Sequence, residues 1–199
     1  MSDTWERRQT MDRRARDRAT VEAVVEGGNF HLVYQPIVHL DTGDVAGVEA
    51  LTRFDDGAAT EHRFRTCEEL GLAAPLDLAI VERALEDFVH LPGGYLALNL
   101  SASTICDRSL QALLESADVP HRRIVIEITE HARIPDYKQA SSVIDSLRKK
   151  GVRLAVDDAG AGMGRHVRAV GRVVALEASL FVSPPPQARK VVAASGASR

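Results

Sequence analysis

Four apolar segments each carry an oxygen-bearing side chain near their C-terminal ends: Glu49 in residues 45–51, Asn99 in 95–100, Glu127 in 124–128, and the pair Asp157-Asp158 closing 152–157. A carboxylate in an apolar strand is expensive to bury unless it is paired or binds a cation. One such acid also reads as a helix cap or a surface residue. Four at corresponding places are harder to explain structurally, and in parallel α/β folds the rim at the C-terminal strand ends is where sites are built. From Asn99 to Glu127 is 28 residues and from Glu127 to Asp157 is 30. A (βα)8 barrel of about 250 residues allots roughly 31 to each βα unit, so consecutive strands would carry these groups round one rim. Oxygen donors without histidine or cysteine favour Mg²⁺ or Mn²⁺ over Zn²⁺.

The segments between fit this alternation. Residues 30–38 are β-branched and aromatic, 41–44 form a turn, and 45–51 a second strand. Leu76, Ile80, Val81, Ala84, Leu85 and Phe88 recur at helical spacing within 76–90. Leu110, Leu113 and Leu114 mark a short helix, and Val143, Ile144 and Leu147 another that closes on Lys149-Lys150-Gly151. Cations and a glycine suit a helix C-terminus. A sixth strand is expected over 172–177. The predicted fold class is α/β, with a buried and mostly parallel sheet. Residues 1–20 form a charged N-terminal arm with six arginines and four acids, whose Trp5 marks a local contact. Residues 183–199, rich in Pro, Ala and Ser, are expected to be a disordered tail.

Composition excludes several classes. The 199 residues hold 25 basic and 28 acidic side chains, so no basic surplus points to nucleic acid. No run of 18 apolar residues could span a membrane, and no apolar stretch follows the N-terminal charges as in a secretory signal. Cys67 and Cys106 are too few for a disulfide framework and read as reduced, buried thiols. The expectation is a cytoplasmic protein. The seven histidines show no metal-ligand spacing. Gly160, Gly162 and Gly164 follow a strand, but the spacing is not the dinucleotide fingerprint, and the two preceding aspartates would repel a pyrophosphate.

Tyr34-Gln-Pro-Ile37, Glu49-Ala-Leu-Thr-Arg53, Leu98-Asn-Leu-Ser101, Glu127-Ile-Thr-Glu130 and Val156-Asp-Asp158 resemble, in order, the motifs of the EAL domain. That family comprises bacterial phosphodiesterases that open cyclic di-GMP to the linear dinucleotide, on a modified TIM barrel. The resemblance implies an EAL-like domain over 21–182. It makes Glu49, Asn99, Glu127, Asp157 and Asp158 metal ligands for two cations, Mg²⁺ or Mn²⁺. It makes Gln35, Leu51 and Arg53 ligand-binding residues, with the Arg53 fork suited to a phosphate. Glu130 becomes the anchor of the loop after Asp158.

The sequence also departs from that pattern. Ala175 stands where the resemblance requires a lysine, and Glu177 where it requires an aspartate. The loop reads Asp157-Asp-Ala-Gly-Ala-Gly-Met-Gly164, and two further family motifs do not follow Glu177. From Gly27 to Val182 is 156 residues, against about 250 for a full barrel. The expectation is therefore an incomplete barrel of about six strands with an open edge. Such an edge invites a homodimer or a protein partner. The function expected is that of a degenerate EAL protein, catalytically impaired, acting by binding cyclic di-GMP or a protein. The alternative is an active Mg²⁺- or Mn²⁺-dependent cyclic di-GMP phosphodiesterase.

Overall fold

The computed structural model describes residues 2–39, 42–129 and 136–157. The elements run α1 (Ser2–Gly27), β1 (Phe30–Val38), β2 (Val45–Phe54), α2 (Thr60–Leu70), α3 (Ala73–Asp87), β3 (Tyr95–Asn99), α4 (Ala102–Ile105), α5 (Arg108–Ser116), β4 (Ile124–Thr129), α6 (Tyr137–Lys149) and β5 (Arg153–Asp157). The strands form one sheet in the order β1-β2-β3-β4-β5. β1 and β2 are an antiparallel hairpin, and β2 to β5 are parallel neighbours. The hairpin turns where Gly43 takes a φ of 75° and donates its N–H to the His39 carbonyl.

The parallel strands are buried on both sides, as their uninterrupted apolar runs require. Even-numbered residues, among them Val48, Ala50, Leu96, Leu98, Ile124, Ile126 and Leu154, join the main core beneath Leu76, Ile80, Val81 and Ala84 of α3 and Val143, Ile144 and Leu147 of α6. Leu76, Leu96, Leu98, Ile124 and Ile126 are each less than 2% exposed, and burying side chains of this size contributes about 1.5–3 kcal/mol apiece. Odd-numbered residues face the other way. Ile37, Tyr95, Ala97, Val125 and Ala155 form a smaller cluster there, on the face that becomes the interior of a barrel.

The arm and the residues after it are one helix, α1, which ends at Gly27 before the positive-φ Gly28. It is held to the core near its C-terminal end by buried Val21 and Val24 and by Arg18, whose Nη2 donates to the Leu70 carbonyl at 2.9 Å. Trp5 is 62% exposed. Two differences from the sequence reading have physical causes. α2 escaped the apolar periodicity because its buried side chains are Arg63 and Cys67. Arg63 is tolerated there because it pairs with Asp56 and lies 5.5 Å from the Phe54 ring centre. Finally, β2 continues to Phe54, so Glu49 sits in mid-strand. The parallel register with β3 ends at Ala50 opposite Leu98, and residues 51–54 pair with β1. The sixth strand expected over 172–177 and the tail 183–199 lie outside the described residues. Among the described residues, no helix is long and apolar enough to cross a membrane.

Candidate functional site

Strand periodicity puts Gln35, Asn99 and Glu127 on the same face as the smaller cluster, two residues from Ile37, Ala97 and Val125. Register places Glu49 there between Gln35 and Ala97, with Leu51 and Arg53 following at the strand period of two. Gln35 stands opposite Glu49, Leu51 opposite Val33 and Arg53 opposite His31 across the hairpin. Asn99 stands opposite Glu127 across β3 and β4. Asn99 Nδ2 donates to Glu49 Oε1 at 2.7 Å. These three expected ligand positions thus come from adjacent strands: Asn99 and Glu127 are register partners, and Glu49, opposite Ala97, stands one inward-facing step below Asn99. Their surroundings differ: Glu127 is 2% exposed, Glu49 is half-buried and Asn99 is open to solvent. Arg53 is also exposed, and its Nη1 donates to the Thr52 carbonyl at 2.8 Å.

Asp157 ends β5 opposite Thr129, two residues beyond Ala155 of the inner cluster. Asp158, Glu130 and Ala175 lie outside the described residues. Among the described residues no three His, Cys, Asp or Glu side chains are grouped as a metal would need. The donor chemistry nevertheless suits a hard divalent cation, since two carboxylates and a carboxamide oxygen are what Mg²⁺ and Mn²⁺ prefer.

Two features of the surroundings escaped the sequence reading. Tyr95 lies below Asn99 on the inner face with its ring across Gly47, and the Arg153 guanidinium sits 4.7 Å from the ring centre. Burial pushes the Tyr95 hydroxyl upward, with the Arg153 charge opposing and the Glu127 charge reinforcing the shift. On the outer side, Asp77 of α3 is 1% exposed. Its Oδ2 accepts from the Ser101 N–H at 2.7 Å and from Thr104 Oγ1 at 2.6 Å. Its signal was present in the sequence. Asp77 precedes Ile80, Val81 and Ala84 by three, four and seven residues, so it occupies the buried stripe of the helix.

A profile of the EAL domain matches residues 17–167. An uncharacterised protein of Mycobacterium tuberculosis is 32% identical over 157 residues, covering 72% of this chain and 51% of the relative. The cyclic di-GMP phosphodiesterase PA2567 of Pseudomonas aeruginosa is 32% identical over 153 residues, or 71% of this chain and 26% of that protein. The chain therefore spans about half the length, or less, of these relatives. Among solved structures, the FimX EAL domain of Pseudomonas aeruginosa bound to c-di-GMP superposes with a TM-score of 0.66 at 21% identity, over 80% of this chain and 68% of that one. The sheet with its helical cover is that of the TIM-barrel-like EAL fold. The chain belongs to the EAL-domain family.

Proposed function

We propose that this chain binds cyclic di-GMP through a divalent cation on the inner face of the sheet and hydrolyses it poorly. The observation that carries the binding half is the Asn99–Glu49 hydrogen bond, 2.7 Å long, between neighbouring strands, with Asn99 the register partner of buried Glu127. Glu49, Asn99 and Glu127, with Asp157 and Asp158, would hold Mg²⁺ or Mn²⁺. When bound, such a cation polarises a phosphate oxygen and lowers the pKa of water. The chain's own part is to orient. Glu49 fixes the Asn99 amide, and Arg53, two residues further along β2 from Leu51, offers an exposed guanidinium to a phosphate. PA2567 is a cyclic di-GMP phosphodiesterase by name, and the FimX domain was solved with c-di-GMP bound; both facts favour that ligand.

Poor hydrolysis is inferred from Ala175, which stands at the position of the family lysine. An absent donor at a reacting centre commonly costs about 10²–10³ in rate. A protein partner or a second copy pairing with the sheet belongs to the same reading. Calorimetry with cyclic di-GMP and Mn²⁺, followed by chromatography of the nucleotide, tests it. Cation-dependent binding with slow appearance of linear product is expected. Turnover near 1 s⁻¹, in the ordinary enzyme range, would overturn the impaired reading.

One observation favours the alternative of an active phosphodiesterase: all five oxygen-bearing ligand positions are retained in type. In that case Glu49→Ala abolishes hydrolysis, and activity that persists unchanged in this variant belongs to a contaminant.

A further inference from the structure

We infer that Asp77 is a positioning residue that sets Asn99 through the backbone of the turn between β3 and α4. The inference rests on the proposed role of Asn99 as a cation ligand. Two successive amides follow Asn99, and each is held from a different side. The Leu100 N–H donates to the Glu127 carbonyl at 3.0 Å, extending the parallel ladder by one step. The Ser101 N–H donates to Asp77 Oδ2 at 2.7 Å, on the helical side of the sheet. The chain leaving Asn99 is therefore clamped between β4 and α3. The side chain keeps only its own torsions, and these are taken up by the bond from Nδ2 to Glu49.

Burying a carboxylate at 1% exposure is costly, and an apolar residue would fill a stripe between two helices more cheaply. What the carboxylate supplies is an acceptor that can take two donors at one oxygen. Thr104 Oγ1 uses the second place at 2.6 Å, and Ser101 Oγ lies 2.8 Å from Thr104 Oγ1, so the turn closes on itself around Asp77. α4 is a single turn whose N-cap residue, Ser101, makes no side-chain cap bond of its own. Without Asp77 nothing in this network holds Ser101 against α3, and Asn99, two residues away, is free to swing from the level of Glu49 and Glu127. Asn at position 77 keeps an acceptor oxygen and should preserve the turn, so the carboxylate's charge is not what positions Asn99.

A double-mutant cycle on the full chain tests this, with Mn²⁺ affinity read by electron paramagnetic resonance and folding by urea unfolding. Asp77→Ala should weaken Mn²⁺ binding about tenfold or more, the scale of residues that orient ligands from behind. Asp77→Asn should bind close to wild type. In an Asn99→Ala background, Asp77→Ala should bring no further loss. If Asp77→Ala fails to fold, Ser101→Pro takes its place in the cycle: Ser101 already has a φ of −70°, so proline removes the N–H with little strain. Wild-type Mn²⁺ affinity in a folded Asp77→Ala, or an equal loss with and without Asn99, overturns the positioning role while leaving the cation site intact. Absence of Mn²⁺ binding in the wild type overturns the cation site itself, and the positioning role with it.

Discussion

The ring of Tyr95 lies against Gly47: a Cβ built on that glycine would stand 2.4 Å from the Tyr95 carbonyl oxygen and 2.7 Å from the ring. The two residues are register partners at the start of the β2–β3 ladder, so neither backbone can retreat without breaking it. The missing side chain gives the tyrosine room to lie flat below Asn99 and to take the Arg153 guanidinium beside its ring. Gly47→Ala should therefore destabilise the fold by about 3 kcal/mol, the upper end for overpacking, seen as a lowered urea midpoint. An unchanged midpoint would mean that the interior below the site is not closed by this contact.

Asp77 also makes stability depend on pH. Burial holds its carboxyl above the ordinary range, and the bonds from Thr104 and Ser101 offset that only in part. For an acid with a raised native value, the contribution to stability is full below the unfolded value of about 3.9 and is lost as pH rises through the native value. Asp77→Asn cannot titrate. Relative to wild type, this variant should gain stability as pH rises above about 4 and level off once the native carboxyl has ionised. Urea midpoints of the two proteins measured upward from about pH 4 check it, and a constant difference would show that Asp77 keeps an ordinary carboxyl.

The thiols should separate cleanly. Cys67 is fully buried in α2, and burial pushes its thiol up to about 11, with the Arg63 charge opposing. Cys106 is partly exposed after α4 and donates to the Asp136 carbonyl at 3.7 Å. A thiolate-seeking reagent at mild alkaline pH should label Cys106 in the native protein and Cys67 only on unfolding. Peptide mapping after timed labelling distinguishes them. Native labelling of Cys67 at a comparable rate would mean that α2 opens readily.

Much of this arrangement was legible in the residues alone. Buried strands announced themselves as apolar runs, and the spacings of 28 and 30 residues placed Asn99, Glu127 and Asp157 at corresponding points of successive strands. α3 and α6 were visible because Leu76, Ile80 and Val81, or Val143, Ile144 and Leu147, follow the helical repeat. α2 was not visible, since a buried arginine paired with Asp56 looks like a solvated one in sequence. The extent of β2 was hidden for another reason. Its last four residues are strand because β1 pairs with them, and such pairing is not written in the local pattern. Asp77 was in phase with the buried stripe, but an acid there is informative only once Ser101 and Thr104 are known to face it.

The cation site can be tested without measuring turnover. A ligand that binds only the native state stabilises it, by about 2.7 kcal/mol at a hundred times its dissociation constant. Wild-type protein should melt higher in Mn²⁺ than in chelator, and cyclic di-GMP added second should raise the midpoint again. Glu49→Ala removes one carboxylate and the acceptor of the Asn99 bond. Glu49 is only half-buried, so in chelator the variant should lose no more than about 1 kcal/mol, the ordinary worth of a hydrogen bond. In Mn²⁺ its midpoint should rise far less than that of wild type, because a proposed carboxylate ligand is lost and a hard divalent cation depends on charged oxygens. Asn99→Ala should behave similarly, with a smaller loss since the amide carries no charge. If Glu49→Ala is stabilised by Mn²⁺ as strongly as wild type, the cation sits elsewhere and the inner face is not its site.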